Sequence, residues 1–397
     1  MFTSAEPVRI AVDRELGVDS AAVPDQPLLF LLAIAGHWFA SAAAVNRVHA
    51  QPWPCPKLKR WRDRIAWANA ALSVGLLAWC YGPASPVRTV VLGLCASGLL
   101  TLLWVAVQHW RRRETPVVAS SGQVDDLAGR VPIGDGPIAA LARVPGNQFR
   151  QIETTDKTLA LPGWPPGLTP LRVLHLTDWH FTGTPGLAFY QTAVERAAAL
   201  DPDLILFSGD LVDRMDLLGW IDRTLGQLDA PLGKFFILGN HDWMQQPDVI
   251  RQAVVDAGWT DLASRTVTTA HDGQTIELAG NETPWMGTEP AFASDGVRIG
   301  VMHTPDRLPW AVGQRCDLVV AGHNHGGQIR VPGLGPLLAP ARTGVRYAGG
   351  VYQKNRTVMH VGRGLGALHP LRINCRPEIT LLTLVPVAAA KPALEPI

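Results

Sequence analysis

Cysteine is scarce and poorly placed for structural use: Cys55, Cys80, Cys95, Cys316 and Cys375 are odd in number, far apart and without a C-x-x-C pair. That excludes a disulfide framework and a zinc–thiolate site, and it fits a reducing compartment. Charge is scarce too. Charged residues make up 17% of the chain, and 35 Lys and Arg against 34 Asp and Glu leave a formal net charge of +1. No global field therefore recruits nucleic acid or an acidic partner. Glycine and proline, 38 and 32 of 397 residues, fall short of the enrichment of a disordered or collagen-like chain. No repeat of fixed period recurs. What remains is length for two or three folding units and a 47% hydrophobic composition whose excess has to be concentrated somewhere.

It is concentrated at the front. Three runs free of Asp, Glu, Lys and Arg, 26–46, 65–87 and 89–110, are each long enough to cross a bilayer core as a helix. The third is the most apolar, with Trp104 and Trp110 suited to an interface, and the first is interrupted by Gly36, His37 and Trp38. Arg47, Lys57, Lys59, Arg60, Arg62 and Arg64 separate the first two runs, and Arg111, Arg112 and Arg113 follow the third. By the positive-inside rule both basic flanks are expected to be cytoplasmic, the link 82–88 is then an external hairpin, and the acidic N-terminus faces outward if the first run spans. The expectation is a multi-pass protein of the inner, cytoplasmic membrane, with everything after Arg113 in the cytoplasm. A cleaved signal peptide is not expected, because acidic rather than basic residues precede the first run. The resulting division is a membrane region at 1–113 with two or three transmembrane helices, a Ser/Gly/Pro/Asp-rich linker at 114–147, a catalytic domain at 148–386 and a flexible C-terminal tail at 387–397.

Within the third segment one pattern recurs. Short apolar, β-branched runs at 172–177, 204–208, 234–238, 297–302 and 317–321 stop abruptly at Asp178-Trp179-His180, Gly209-Asp210-Leu211-Val212-Asp213, Gly239-Asn240-His241-Asp242, His303-Thr304-Pro305-Asp306 and Gly322-His323-Asn324-His325. Helical patterns at 188–200, 217–228 and 248–257 lie between them. Strands alternating with helices predict an α/β sheet, and ligands of such sheets gather beyond the carboxyl ends of the strands, so all five polar clusters fall on one rim.

Asp, His and Asn without Cys make an oxygen-and-nitrogen donor set suited to Mn first, and to Fe, Zn or Mg. Asp178 and His180, two apart on an extended segment, offer a carboxylate and an imidazole to one ion while Trp179 points away. His323 and His325 serve one ion together or two neighbours separately. Asp210, at the sharp turn after Gly209, is the candidate bridge, and Asn240 adds a neutral oxygen that does not repel phosphate. Two ions about 3.5–4 Å apart polarise a phosphoryl oxygen and activate a shared water, which is the chemistry of phosphoester hydrolysis. His241 is placed to protonate the leaving group, with Asp242 expected to orient its imidazole. Any one of these histidines alone would be unremarkable, but five such clusters at strand ends are not coincidence. Asp213 is read as a helix cap or a support for the ligands, and His175, inside the first strand, as structural.

In order and spacing, Asp178-x-His180, Gly209-Asp210-x-x-Asp213, Gly239-Asn240-His241-Asp242, His303 and Gly322-His323-x-His325 resemble the motifs of calcineurin-like metallophosphoesterases. The stretches 322–329, 363–366 and 376–379 resemble a bacterial membrane-associated branch that includes hydrolases of UDP-diacylglucosamine-type lipid precursors. The resemblance implies a four-layer α/β/β/α sandwich, here preceded by transmembrane helices, and two divalent metal ions. Asp178, His180, Asp210 and His325 would hold one ion, and Asp210, Asn240, His303 and His323 the other, with His241 beside the leaving group. The phosphoester substrate would be a phosphodiester, phosphomonoester or diphosphate, extending to lipid-linked ones. Two alternatives stay open: a nuclease, with Arg330, Arg342, Arg346, Lys354, Arg356, Arg363 and Arg372 as its basic groove, and a non-catalytic membrane scaffold that keeps the metal fold. With so balanced a net charge, no nucleic-acid partner is expected.

Overall fold

The computed structural model describes residues 27–80, 85–110 and 117–387. The acidic N-terminus, residues 82–84 of the expected hairpin, Arg111 to Arg113 and the tail beyond residue 387 lie outside the described residues. The chain forms two compact units: 27–41 with 63–101, and 42–62 with 102–387.

The smaller unit is built from residues 27–41 of helix α1 (Pro27–His49), residues 63–80 of α2 (Cys55–Cys80) and α3 (Pro86–Ala96), and a 3-10 turn at Ser97–Leu99 leads into α4 (Leu100–Trp110). Its small core joins Ala33, Leu76 and Leu92. The interruption at residues 36–38 has a packing reason. A Cβ on Gly36 would come within 2.2 Å of the Cys95 carbonyl oxygen, so only glycine admits this close backbone approach. His37 is satisfied by Ser73 Oγ at 2.9 Å and the Ala33 carbonyl at 2.9 Å. By length and composition two stretches suffice to cross a membrane, Pro27–His49 and Pro86–Val107. The expected span at 65–87 runs past Cys80 into residues outside the described ones; its described part is the second half of α2, whose first turns carry Lys57, Lys59, Arg60, Arg62 and Arg64.

The larger unit is built on two sheets. Strands β1 (Val117–Asp126), β2 (Gln151–Leu161), β3 (Leu171–Leu176), β4 (Leu204–Phe207), β5 (Lys234–Phe236) and β6 (Thr260–Asp261) belong to the first. Strands β7 (Thr266–His271), β8 (Gln274–Asn281), β9 (Val297–Met302) and β10 (Leu318–Ala321) belong to the second. After a small ribbon of β11 (Arg330–Val331) and β12 (Gly335–Pro336), β13 (Gly350–Lys354) and β14 (Thr357–Val361) complete the second sheet, and β15 (Glu378–Pro386) returns to the first. The orders are β1-β2-β15-β3-β4-β5-β6 and β13-β14-β10-β9-β8-β7. Strands β3 to β6 are mutually parallel, as are β8, β9, β10 and β14.

Alternation along each strand sets the layers. Leu171 and Val173 of β3, with Leu204 and Leu206 of β4, face Ile299, Val301, Leu318 and Val320 of the other sheet. Leu174, Leu176, Ile205 and Phe207 point outward under α5 (Leu187–Ala198), whose Phe189, Tyr190 and Ala193 cover them. The second sheet's outer face carries Val319, Ala321 and Met359 beneath Leu308 and Trp310. The result is helix, sheet, sheet, helix, the expected sandwich.

Two local expectations fail. The stretch 217–228 is not an α-helix but two 3-10 turns, Met215–Trp220 and Leu225–Gln227, because Gly219 and Gly226 weaken a continuous helix. Part of the stretch read as linker is β1, an edge strand that owes its form to antiparallel pairing with β2 rather than to a buried face of its own.

Candidate metal centre and active site

All five polar clusters sit at the carboxyl ends of β3, β4, β5, β9 and β10. The turns there are sharp. Asp178, His180, Asp210, His323 and His325 all have left-handed backbones, with φ of 51°, 48°, 60°, 69° and 50°. Such conformations cost on the order of 1–3 kcal/mol each outside glycine and persist only where the surroundings over-determine them. Hydrogen bonds between the loops do this: Asp178 N–H donates to the Gly209 carbonyl at 2.9 Å, His180 N–H to the Asp210 carbonyl at 3.1 Å and His323 N–H to both Asp178 oxygens at 3.0 Å.

The side chains converge in two groups, Asp178 with His180 and His325, and Asp210 with His303 and His323, the ligand atoms of each lying within 4.8 Å of one another. Asp210 Oδ2 belongs to both neighbourhoods, at 3.6 Å from His180 Nε2 and 3.2 Å from His303 Nε2. Asn240 Oδ1 is 3.1 Å from His303 Nε2, and His323 Nδ1 is 3.2 Å from the same nitrogen. All seven expected ligands are thus in one place.

Their protonation states test whether a cation fits. His303 Nδ1 meets the Ser208 carbonyl at 2.8 Å and His180 Nδ1 meets Asp213 Oδ2 at 2.7 Å, so each ring carries a hydrogen on Nδ1 and turns Nε2 toward the carboxylate of Asp210. His180 Nε2, buried and facing Asp210 and Asp178, has no hydrogen-bond partner, while His323 turns Nδ1 and His325 turns Nε2 toward the cluster. Burial, reinforced by neighbouring histidines, holds His323 at about 3 and His325 well below the imidazole range, so both offer neutral lone pairs. Burial works against a charged His303, yet the facing carboxylates of Asp210 and Asp178 raise it to about 9. The cluster demands positive charge at its centre, and the donor set suits divalent Mn, Fe, Zn or Mg.

A third group, His180, Asp213 and His241, is knit by hydrogen bonds instead. Asp213 Oδ1 accepts from His241 Nδ1 at 2.5 Å, while its other oxygen serves His180. This corrects one expectation. Asp242 does not orient the imidazole: its two oxygens accept the backbone N–H groups of Gly239, Asp210, Leu211 and Val212 at 2.9–3.0 Å, tying the β4 and β5 loops together. Asp213 fills the role. Burial opposes a charged His241, but Asp213 and Asp210 outweigh it and lift the imidazole to about 10, so it holds a proton at neutral pH. Bound cations pull the other way.

Trp179 is fully buried against Tyr190, away from the site, and His175 is structural, bonding His360 Nδ1 at 2.8 Å and Ser208 Oγ at 2.9 Å. Trp285 walls the site, its ring centroid 5.2 Å from that of His323; no motif in the sequence marked it. The expected basic groove loses three members. Arg356 pairs with Asp317, Arg363 with Glu378 at 3.0 Å and Glu153 at 3.1 Å, and Arg372 is buried with its guanidinium on the carbonyls of Arg363, Gly364 and Gly366.

Residues 171–327 match the family model described as Calcineurin-like phosphoesterase. The chain is 32% identical to the uncharacterized metallophosphoesterase YkuE of Bacillus subtilis over 246 residues, which cover 59% of this chain and 85% of that protein. It belongs to the calcineurin-like metallophosphoesterases. Phosphodiesterase YaeI of Escherichia coli is 32% identical over 224 residues, covering 54% of this chain and 83% of YaeI. UDP-2,3-diacylglucosamine pyrophosphatase LpxG of Chlamydia muridarum is 22% identical over 275 residues, covering 53% and 83%. As a metallophosphoesterase the chain is a metal-dependent phosphoester hydrolase.

Proposed function

We propose that this metallophosphoesterase is a membrane-tethered, dinuclear hydrolase of phosphodiester or diphosphate bonds, acting on a lipid-linked substrate at the cytoplasmic face of the inner membrane. The observation that carries the dinuclear reading is the position of Asp210 Oδ2 between the two ligand groups. Asp178, His180, Asp210 and His325 would hold one ion and Asp210, Asn240, His303 and His323 the other, manganese being the first choice. When bound, the ions supply Lewis-acid polarisation of a phosphoryl oxygen and acidify water near neutral pH.

The chain's own residues do the rest. Asp178 and Asp210 hold the cations, and with them neutralised the pocket accepts an anionic substrate. Asn240 adds an oxygen without adding charge. His241 is the proton donor to the leaving oxygen, kept protonated and aimed by Asp213, as general acid catalysis requires. The apolar stretches Pro27–His49 and Pro86–Val107 support the tether, the basic flanks support the cytoplasmic orientation, and LpxG, named for a diacylated diphosphate, supports a lipid-linked substrate. Sequestration of Arg356, Arg363 and Arg372 leaves a nuclease less well served.

The test is turnover of bis(p-nitrophenyl) phosphate by the detergent-purified chain with added Mn²⁺. Asp210→Asn is expected to lower kcat by at least about 100-fold. His241→Ala is expected to slow alkyl leaving groups by about 10²–10⁴ and activated nitrophenyl esters far less. Wild-type rates in both variants sink the assignment of roles.

A further inference from the structure

Lys157, His175, Ser208 and His360 each stand two positions along the chain from a residue of the inter-sheet core, Leu159, Val173, Leu206 and Val358. Strand alternation therefore turns all four polar side chains into the space between the sheets. There they meet in line. Lys157 Nζ on β2 lies 3.3 Å from His360 Nε2 on β14, His360 Nδ1 lies 2.8 Å from His175 Nδ1 on β3, and His175 Nε2 lies 2.9 Å from Ser208 Oγ just beyond β4. The line ends at the candidate metal centre. The Ser208 carbonyl accepts from His303 Nδ1 at 2.8 Å, and Ser208 N–H donates to the Leu176 carbonyl at 3.0 Å.

Donors and acceptors can be assigned along the whole line. An ammonium has no lone pair, so Lys157 donates to His360 Nε2. Glu378 holds that ammonium at 2.7 Å with one oxygen and Arg363 at 3.0 Å with the other, which fixes Lys157 and matches its charge. Burial keeps both rings neutral: it holds His175 at about 3, and with Lys157 and His175 beside it His360 lies well below the imidazole range. A neutral imidazole has one donor and one acceptor nitrogen. His360 must then donate through Nδ1 to His175 Nδ1, and His175 through Nε2 to Ser208 Oγ.

We infer that Lys157, His360 and His175 are positioning residues: their directed hydrogen bonds fix Ser208, and through the Ser208 carbonyl they aim the His303 ring at the cation site. The effect on metal rests on the dinuclear reading; the hydrogen-bonded line itself does not. A buried hydrogen bond adds only about 1 kcal/mol net, so apolar side chains of matching shape would stabilise the core about as well. What the polar line contributes is orientation. It crosses from one sheet to the other and back, and so ties the end of β4, which carries Asp210, to the end of β9, which carries His303.

The test is ring-nitrogen NMR of the full, detergent-purified, metal-free chain, with signals assigned from His175→Gln, His303→Gln and His360→Gln. His360 is expected to carry its hydrogen on Nδ1 and His175 on Nε2. Lys157→Met, in which Arg363 still pairs Glu378, is expected to shift the ring signals of His360, His175 and His303, and Lys157→Arg to leave them close to wild type. Ser208→Ala, the mildest change, is expected to shift His303 and, in calorimetric titration with Mn²⁺, to weaken one of two ions about tenfold while the other stays within twofold. A hydrogen on His360 Nε2 overturns the direction of the line. His303 signals that ignore both Lys157→Met and Ser208→Ala overturn the positioning role, and so does an unchanged Mn²⁺ titration of Ser208→Ala where wild type binds two ions. Failure of the dinuclear reading shows separately, as a wild-type chain that does not take up two Mn²⁺, and the His303 ring signals still decide the positioning role.

Discussion

Asp213 ties two proposed functions to one carboxylate, the proposed ligand His180 at 2.7 Å on one oxygen and the proposed proton donor His241 at 2.5 Å on the other. Burial opposes its charge, but His241 and His180 outweigh it and hold the carboxyl below its ordinary range, so it stays ionised between them. Asparagine keeps the shape but has one acceptor oxygen where two are used. Asp213→Asn is therefore expected to lower Mn²⁺ affinity about 10–100-fold through His180 and to slow alkyl phosphoesters more than nitrophenyl ones through His241. Calorimetric titration with Mn²⁺ and a leaving-group series check it, and unchanged metal affinity with an unchanged series rejects the coupling. The residues proposed as metal ligands were legible because each cluster follows the end of an apolar run, which places it on one rim. Asp213 was not assignable between cap and support because its partners are 33 and 28 positions away, and only the fold brings them together.

At the scale of elements, Gly209 shows how close the β4 and β5 loops run. Its φ is +99°, and a Cβ there would lie 2.6 Å from the Gly239 nitrogen. Both the conformation and the space exclude a side chain. Gly209→Ala is expected to destabilise the chain by about 2 kcal/mol or more and to displace Asp210, read as a lower unfolding midpoint together with weaker Mn²⁺ binding. A wild-type midpoint would contradict it. The five parallel strands could be read from sequence because burial on both faces writes them as continuous apolar runs. The strand β1 could not, since most of its side chains are exposed and its form is imposed by β2. The 217–228 segment misled through periodicity that its glycines undo.

For the whole molecule, five strained ligand backbones and a set of converging lone pairs mean that cations and fold support each other. An ion held at a hundredfold over its dissociation constant adds about 2.7 kcal/mol, and in a domain of this size 1 kcal/mol is about 2–4 °C. Stripping metal with a chelator is expected to lower the unfolding midpoint by roughly 5–10 °C per ion, reversibly on Mn²⁺ return; an identical midpoint with and without Mn²⁺ would show that the centre binds none. The sheet order has its own consequence. The strand β15 lies between β2 and β3, and Thr155 bonds Glu378 across 223 positions. On a ribosome adding about 5–20 residues per second, β2 and β3 emerge some 10–40 s before the strand that separates them. During that interval half a sheet waits with open edges, and unpaired edges of this kind are what chaperones cover on a nascent polypeptide.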